Sequence, residues 1–327
     1  MSFRQVKISR IRRFSALCAL LVLVVMPSAH AANPLVRVTS TYGDFTMELL
    51  QDRAPDTVSN FLGYVDRGEF SQMVIHRSVT DFVIQGGQFR WQGDCVKLVA
   101  GNCGPVMVPV GPVVINEPGV SNVRGTVAMA KLDGFPNSAT NQWFINLADN
   151  STNLDAQNGG FTAFARVLGN GINVADTIND LPRTFVSDAV ADMPVRDYTA
   201  SGIGPVEKNL VLFNVYRVQR FSESMHVFDF GTGLLNTYVN AGATIGNVGL
   251  VMRIIEDAAQ TVFQIEPRSI IPLAISPAGM GSYTDSDQRL RIPQVELNRN
   301  GQVSMINNVV MRLIDPVRLR FVIESFE

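Results

Sequence analysis

The sequence predicts a mainly β protein in two parts, an antiparallel barrel or sandwich followed by a small all-β, sandwich-like domain. Three observations carry this reading. Up to position 218, short apolar runs alternate with Gly, Asn, Asp and Pro clusters at the spacing of short strands. One segment, 55–65, departs from that rhythm and repeats its apolar residues at a helical period. After Phe221 the character shifts to Ser222-Glu223-Ser224, and no lysine occurs from there to Glu327, which places a domain boundary at that point. The 327 residues are 46% apolar and 17% charged, which excludes a disordered polyelectrolyte.

The first 31 residues are read as a leader rather than as fold. Arg4, Lys7, Arg10, Arg12 and Arg13 precede an apolar run from Ala16 to Met26, and Pro27-Ser28-Ala29-His30-Ala31 follows. A basic segment, a short apolar core and small residues at a cleavage point define a secretory signal peptide, with cleavage expected after Ala31. The apolar core is too short to span a bilayer comfortably, so a periplasmic or secreted destination without membrane insertion after cleavage is expected. Removing the five leader cations from the 27 basic residues leaves 22 against 29 acids, a net charge of −7. An acidic surface of that kind makes nucleic acid and anionic lipid poor partners.

The mature chain opens as a β-hairpin, with Val36 and Val38 on one strand, Phe45, Met47 and Leu49 on the next, and Tyr42-Gly43-Asp44 as the turn. Pro55 starts a helix whose apolar residues Val58, Phe61, Leu62 and Val65 fall on one face, and Gly68 stops it. Further strands are expected near 73–75, 82–84, 126–130, 143–147, 162–168 and 210–218. The stretch 89–115 has little periodicity and reads as an ordered surface excursion, the class of long loop that carries function or disorder. Cys95 and Cys103 are the only thiols after the leader, and an oxidising compartment makes a disulfide between them the leading reading; two free thiols and a metal site are the rivals. Strand-like runs beyond Ser222 lie near 225–230, 248–255, 261–265, 269–275, 302–313 and 317–323.

The chemistry concentrates in IHRSVTDFVIQGG at 75–87. This string resembles the HRV-x3-F-[MV]-IQGG signature of the cyclophilins, the peptidyl-prolyl cis/trans isomerases. YGDFTMEL at 42–49, APDTVSNFLGYV at 54–65, RGTVAMAK at 124–131, NSATNQWFIN at 137–146 and FTAFARVLGNG at 161–171 resemble the other family blocks, in the family's order. The resemblance covers about residues 35–220 and is most similar to the bacterial periplasmic branch. It divides the chain into a signal peptide, 1–31, an isomerase domain, 33–220, and a β-rich domain without an assigned role, 222–327.

The resemblance implies a closed eight-stranded antiparallel barrel capped by two helices, with a substrate groove on the outer face. It places the catalytic arginine at Arg77, with Gln85 as the polar residue that binds substrate backbone and orients that arginine. Phe82, Val83, Phe144 and Leu154 match the proline pocket, Ala130 and Gln142 the positions that hold residues before the proline, and Phe161 the rim. The rim tryptophan of many members falls at Asn153 and the rim histidine at Phe161, which implies weak cyclosporin binding.

Arginine suits such a site on physical grounds. An X-Pro amide isomerises over a barrier of roughly 18–20 kcal/mol, set by its C–N double-bond character. In the twisted amide the prolyl nitrogen becomes pyramidal and gains a localised lone pair, which accepts a hydrogen bond that the planar amide cannot. A guanidinium stays charged at any working pH and offers several donors. No metal, cofactor or titrating base is required; proline-containing polypeptides are the expected partners. Outside this motif a lone arginine is an ordinary surface charge, and His76 reads as structural rather than as a base. A different class of function, a cyclophilin scaffold serving as a binding module or envelope adaptor, is the alternative, and the C-terminal domain is then a site for a protein partner or client.

Overall fold

The chain enters its fold through the expected hairpin, β1 (Leu35–Ser40) and β2 (Gly43–Leu49), whose register pairs Ser40 with Gly43. The computed structural model describes residues 32–92, 104–199, 204–256 and 260–327. The expected leader, 1–31, and the expected Cys95–Cys103 disulfide lie outside these residues. Helix α1 (Pro55–Asp66) follows, with Pro55 in its first turn and Thr57, Val58, Phe61, Leu62, Tyr64 and Val65 buried. Its N-terminal backbone donors are not capped locally. Glu117, about sixty positions on in the chain, accepts from the N–H groups of Asp56 at 3.2 Å and Thr57 at 2.8 Å, which places a carboxylate at the positive end of the helix dipole.

Strands β3 (Met73–Val74), β4 (Arg77–Val79), β5 (Val83–Gly86), β6 (Phe89–Gln92) and β7 (Gly104–Met107) come next, then β8 (Thr126–Met129) and β9 (Trp143–Asn146). A one-turn helix α2 (Ser151–Leu154), β10 (Ala163–Val167), α3 (Ile172–Asn179), the two-residue strands β11 (Arg183–Thr184) and β12 (Met193–Pro194), and β13 (Leu212–Val218) complete this half. The pairing order runs β4-β5-β9-β8-β10-β2-β1-β13-β3. Its two ends, β3 and β4, belong to one stretch of chain interrupted only by Ile75 and His76. Ile75 N–H donates to Val211 O and His76 N–H to Gln85 O, each at 3.1 Å, so that stretch bonds to a neighbour on either side and closes an eight-stranded barrel. Strands β6 and β7 extend beyond β3 as a hairpin, with Phe89 opposite Met107 and Gln92 opposite Gly104. The arms of the expected 89–115 excursion therefore pair with each other.

Alternation along the strands fills this barrel. Met47, Leu49, Ile84, Met129, Ile145 and Trp143 point inward and pack with Phe61 of α1 and Ile178 of α3, the two capping helices. Close packing also explains two glycines. A Cβ on Gly86 would lie 2.8 Å from the Phe213 ring, and one on Gly87, at φ +97°, only 2.2 Å from Asn141 O.

The C-terminal part is mainly β, with only a one-turn helix at Gly242–Ile245 and a 3-10 turn at Pro267–Ser269, but it closes on itself where a sandwich leaves two sheets. Its strands are β14 (Val227–Asp229), β15 (Leu234–Asn240), β16 (Asn247–Glu256), β17 (Thr261–Ile265), β18 (Ile271–Pro272), β19 (Gly281–Thr284), β20 (Arg289–Arg299), β21 (Gln302–Asp315) and β22 (Arg320–Ser325). The order β15-β19-β20-β21-β22-β17-β16 returns to β15, which pairs antiparallel with β16 and parallel with β19. Seven strands thus form a second closed barrel around Leu235, Leu250, Met252, Phe263, Leu290 and Ile292. Sequence reading passes over β15, β19 and β20. Buried Asn236 and Thr237 break the apolar signal of β15, and Pro293 interrupts the alternation of β20.

Polar groups join the two halves. Arg37, only 3% exposed, is ion-paired to Asp44 and donates to Ser224 O at 2.7 Å. Asn214 Nδ2 donates to Ser269 O at 2.7 Å, Gln72 Nε2 to Ile270 O at 2.6 Å, and Ala274 N–H to Thr41 O at 2.7 Å. Ile271, fully buried, completes an apolar cluster with Val74, Phe89, Met193 and Leu212.

Candidate active site

Strand registry builds the site. Arg77 stands opposite Gln85, Gln85 opposite Phe144, and Phe144 opposite Ala128, so four side chains form one row across four strands. Their sequence neighbours Ile84, Val127 and Ile145 belong to the barrel interior, so the row faces outward. Arg77 Nη1 donates to Gln85 Oε1 at 3.3 Å, and Gln85 Nε2 donates to Gln142 Oε1 at 2.9 Å. The guanidinium is half-buried and keeps donors to spare, while Gln85 fixes it from the strand beside it.

Next to this polar row lies an apolar one. Val83, Ala128, Phe144, Leu154 and Ala163 are buried together, with Phe82, Val120, Ala130 and Phe161 packed at their edge. The rings of Phe144 and Phe161 meet edge to face, with centroids 5.8 Å apart. Every apolar residue expected at the site is in this cluster: Phe82, Val83, Ala130, Phe144, Leu154 and Phe161. Gln142 joins them through backbone, since its carbonyl accepts from Ala130 N–H at 2.9 Å. Sequence reading missed Val120, Ala128 and Ala163; the signal for Ala128 was the period of two that sends it to the same face as Ala130.

The loops behind the groove are tied by one cation. Lys131 Nζ donates to the carbonyls of Asn158 at 2.9 Å and Gly160 at 2.6 Å and to Asn116 Oδ1 at 3.2 Å. Asn116 itself donates to Gly159 O and Gly160 O, each at 2.8 Å. Beneath the row, His76 is 2% exposed and edge-on to Phe89 at 5.4 Å. Burial pushes its pKa down to about 4, and the charge of Arg77 adds to the shift. It is a neutral core side chain. Two clefts of about 440 and 660 Å³ open elsewhere, the second among Asp52, Arg53, Arg124 and Arg166; neither includes the Arg77 row.

The first barrel thus carries a half-buried arginine beside an apolar cluster on its outer face. Residues 35–200 match the family model of the cyclophilin type peptidyl-prolyl cis-trans isomerase/CLD. A peptidyl-prolyl cis-trans isomerase of Acinetobacter baylyi is 36% identical over 157 residues, which cover 47% of this chain and 77% of that protein. Peptidyl-prolyl cis-trans isomerase B of Escherichia coli is 33% identical over 173 residues, 50% of this chain and 94% of that one. A solved cyclophilin type isomerase of Cryptosporidium parvum aligns with 58% of this chain and 99% of its own, at 20% identity and a TM-score of 0.41. The chain belongs to the cyclophilin-type peptidyl-prolyl cis-trans isomerases, and its C-terminal barrel lies beyond the matched residues.

Proposed function

We propose that this chain isomerises X-Pro bonds in exported polypeptides as they fold, with Arg77 stabilising the twisted amide. One observation carries the reading: a guanidinium held by Gln85 borders an apolar cluster edged by the Phe82 and Phe161 rings. The ring lodges against Phe82, Phe144, Leu154 and Phe161. Gln85 and Gln142 hold backbone, and the acyl side rotates. As the prolyl nitrogen pyramidalises, its lone pair accepts from Arg77, an interaction absent from the planar ground state. No bond to the protein forms, and no proton is transferred. The leader over 1–31 supports an exported client, where uncatalysed X-Pro isomerisation takes tens to hundreds of seconds.

A protease-coupled assay on a prolyl tetrapeptide tests this. Arg77→Ala is expected to lower kcat/KM by about a hundredfold, the scale for removing one transition-state donor. Equal, near-background rates for both proteins would sink the enzyme reading and leave a cyclophilin scaffold that serves as a binding module.

A further inference from the structure

Residues 104–116 carry no charge and contain Pro105, Pro109 and Pro112. The segment is anchored at every third residue. Val108 N–H donates to Gln88 O at 2.8 Å, Gly111 N–H to the buried Tyr64 hydroxyl at 2.7 Å, and Val114 N–H to Ala139 O at 2.9 Å. A period of three is that of an extended polyproline-type chain, in which the residues beside the anchors share one edge. That edge holds Met107, Val110 and Val113, exposed by 56, 59 and 63%, and Ile115 follows at 68%. At about 3.1 Å per residue the edge from Met107 to Val113 is about 19 Å long.

This edge continues into the groove. Val114 bridges Ala139, three residues before Gln142, and Asn116 N–H donates to Asn137 Oδ1 at 2.9 Å. Leu132 and Phe135, exposed by 67 and 65%, sit on the loop closed by Leu132 N–H to Ser138 Oγ at 2.8 Å. Large apolar side chains left in water along a fixed path mark a surface for a partner. Pro109 and Pro112 interrupt the row of N–H donors, so the strip offers side chains rather than a continuous ladder edge.

We propose that this strip is a second binding site for the client chain, gripping an apolar stretch of the same unfolded polypeptide whose proline lies in the Arg77 groove. The proposal rests on the isomerase reading for the groove. It makes the protein selective for long unfolded chains over short peptides, because only a long chain reaches both surfaces and the second contact is then intramolecular.

The test is the full-length variant V110S/V113S/I115S, with thermal melting to confirm its fold. It is assayed on a prolyl tetrapeptide and on the proline-limited refolding of a reduced, carboxymethylated ribonuclease. Unchanged tetrapeptide kcat/KM with an about tenfold loss on the ribonuclease, carried by KM, is expected. Equal factors on both substrates, or no change on either, would overturn the strip. So would a concentration-dependent dimer of the wild type that the variant loses while ribonuclease rates hold, since the occupant is then a second copy. If the wild type lacks tetrapeptide activity, the isomerase reading falls instead. Anisotropy of labelled carboxymethylated ribonuclease then decides the strip alone: weaker binding by the variant supports it, and equal binding overturns it.

Discussion

Lys131 places its ammonium 4.7 Å from the centroid of the Phe161 ring while donating to the carbonyls of Asn158 and Gly160. One side chain therefore fixes the loop over 157–160 and the aromatic edge of the apolar cluster together. A cation over a ring face and charge-assisted bonds to carbonyls each contribute about 0.5–2 kcal/mol at partly shielded sites. Lys131→Met keeps the stem but loses both. The expected outcome is a severalfold rise in KM for the tetrapeptide with kcat retained. Partial burial lowers the ammonium's pKa, so the same rise in KM begins in the wild type at a lower alkaline pH than for a free lysine.

In the proposed reaction Gln85 acts through Arg77. Gln85→Leu removes the 3.3 Å bond to Nη1 and the 2.9 Å bond to Gln142 but leaves the guanidinium in place. Loss of one orienting bond is worth about 1–1.5 kcal/mol, so kcat should fall about tenfold, less than for Arg77→Ala. Arg77→Lys is expected to restore little, because an ammonium lacks the planar fork that Gln85 holds. Tetrapeptide kinetics on the three variants give the order.

His76 predicts a pH slope in stability. Folded, it stays neutral down to about pH 4, whereas in the unfolded chain it binds a proton near 6.5. Between those values the unfolded state holds the extra proton, so stability falls as pH drops from about 6.5 to about 4, by on the order of 3 kcal/mol, and is level above that window. Urea unfolding of His76→Leu beside the wild type isolates this contribution, since the carboxylates titrate alike in both.

The junction between the barrels predicts that neither half is indifferent to the other. Arg37→Met leaves Asp44 without its guanidinium and is expected to cost about 3 kcal/mol, measured as a lower denaturation midpoint. A chain cut after Phe221 strips Ser224, Ser269, Ile271 and Ala274 from the first barrel and uncovers Val74 and Leu212. It should melt below the full chain. An equal melting temperature would show that the first barrel stands unaided.

Much of the first barrel was legible because its signals are local. The period of α1, the alternation of β1 and β2 and the contiguous 75–87 block each depend on residues a few positions apart, and the block carries both Arg77 and Gln85. What escaped depends on distant partners. Glu117 at the end of α1, Lys131 on the carbonyls of 158 and 160, and Gly111 on Tyr64 are single polar contacts, and no periodicity announces them.

The sequence by itself determined the first barrel's class and, through the order of its motifs, six apolar residues that gather in one cluster, Phe82, Val83, Ala130, Phe144, Leu154 and Phe161, because contiguous blocks carry them and strand alternation sends them to one face. Only the tertiary structure decided that the second β region closes into a barrel. Closure rests on β15 meeting both β16 and β19, and the choice of partner is a property of the packed whole. Tertiary structure alone also decided that Val110 and Val113 stay in water, since their neighbours Val108, Gly111 and Val114 take every anchor along that path.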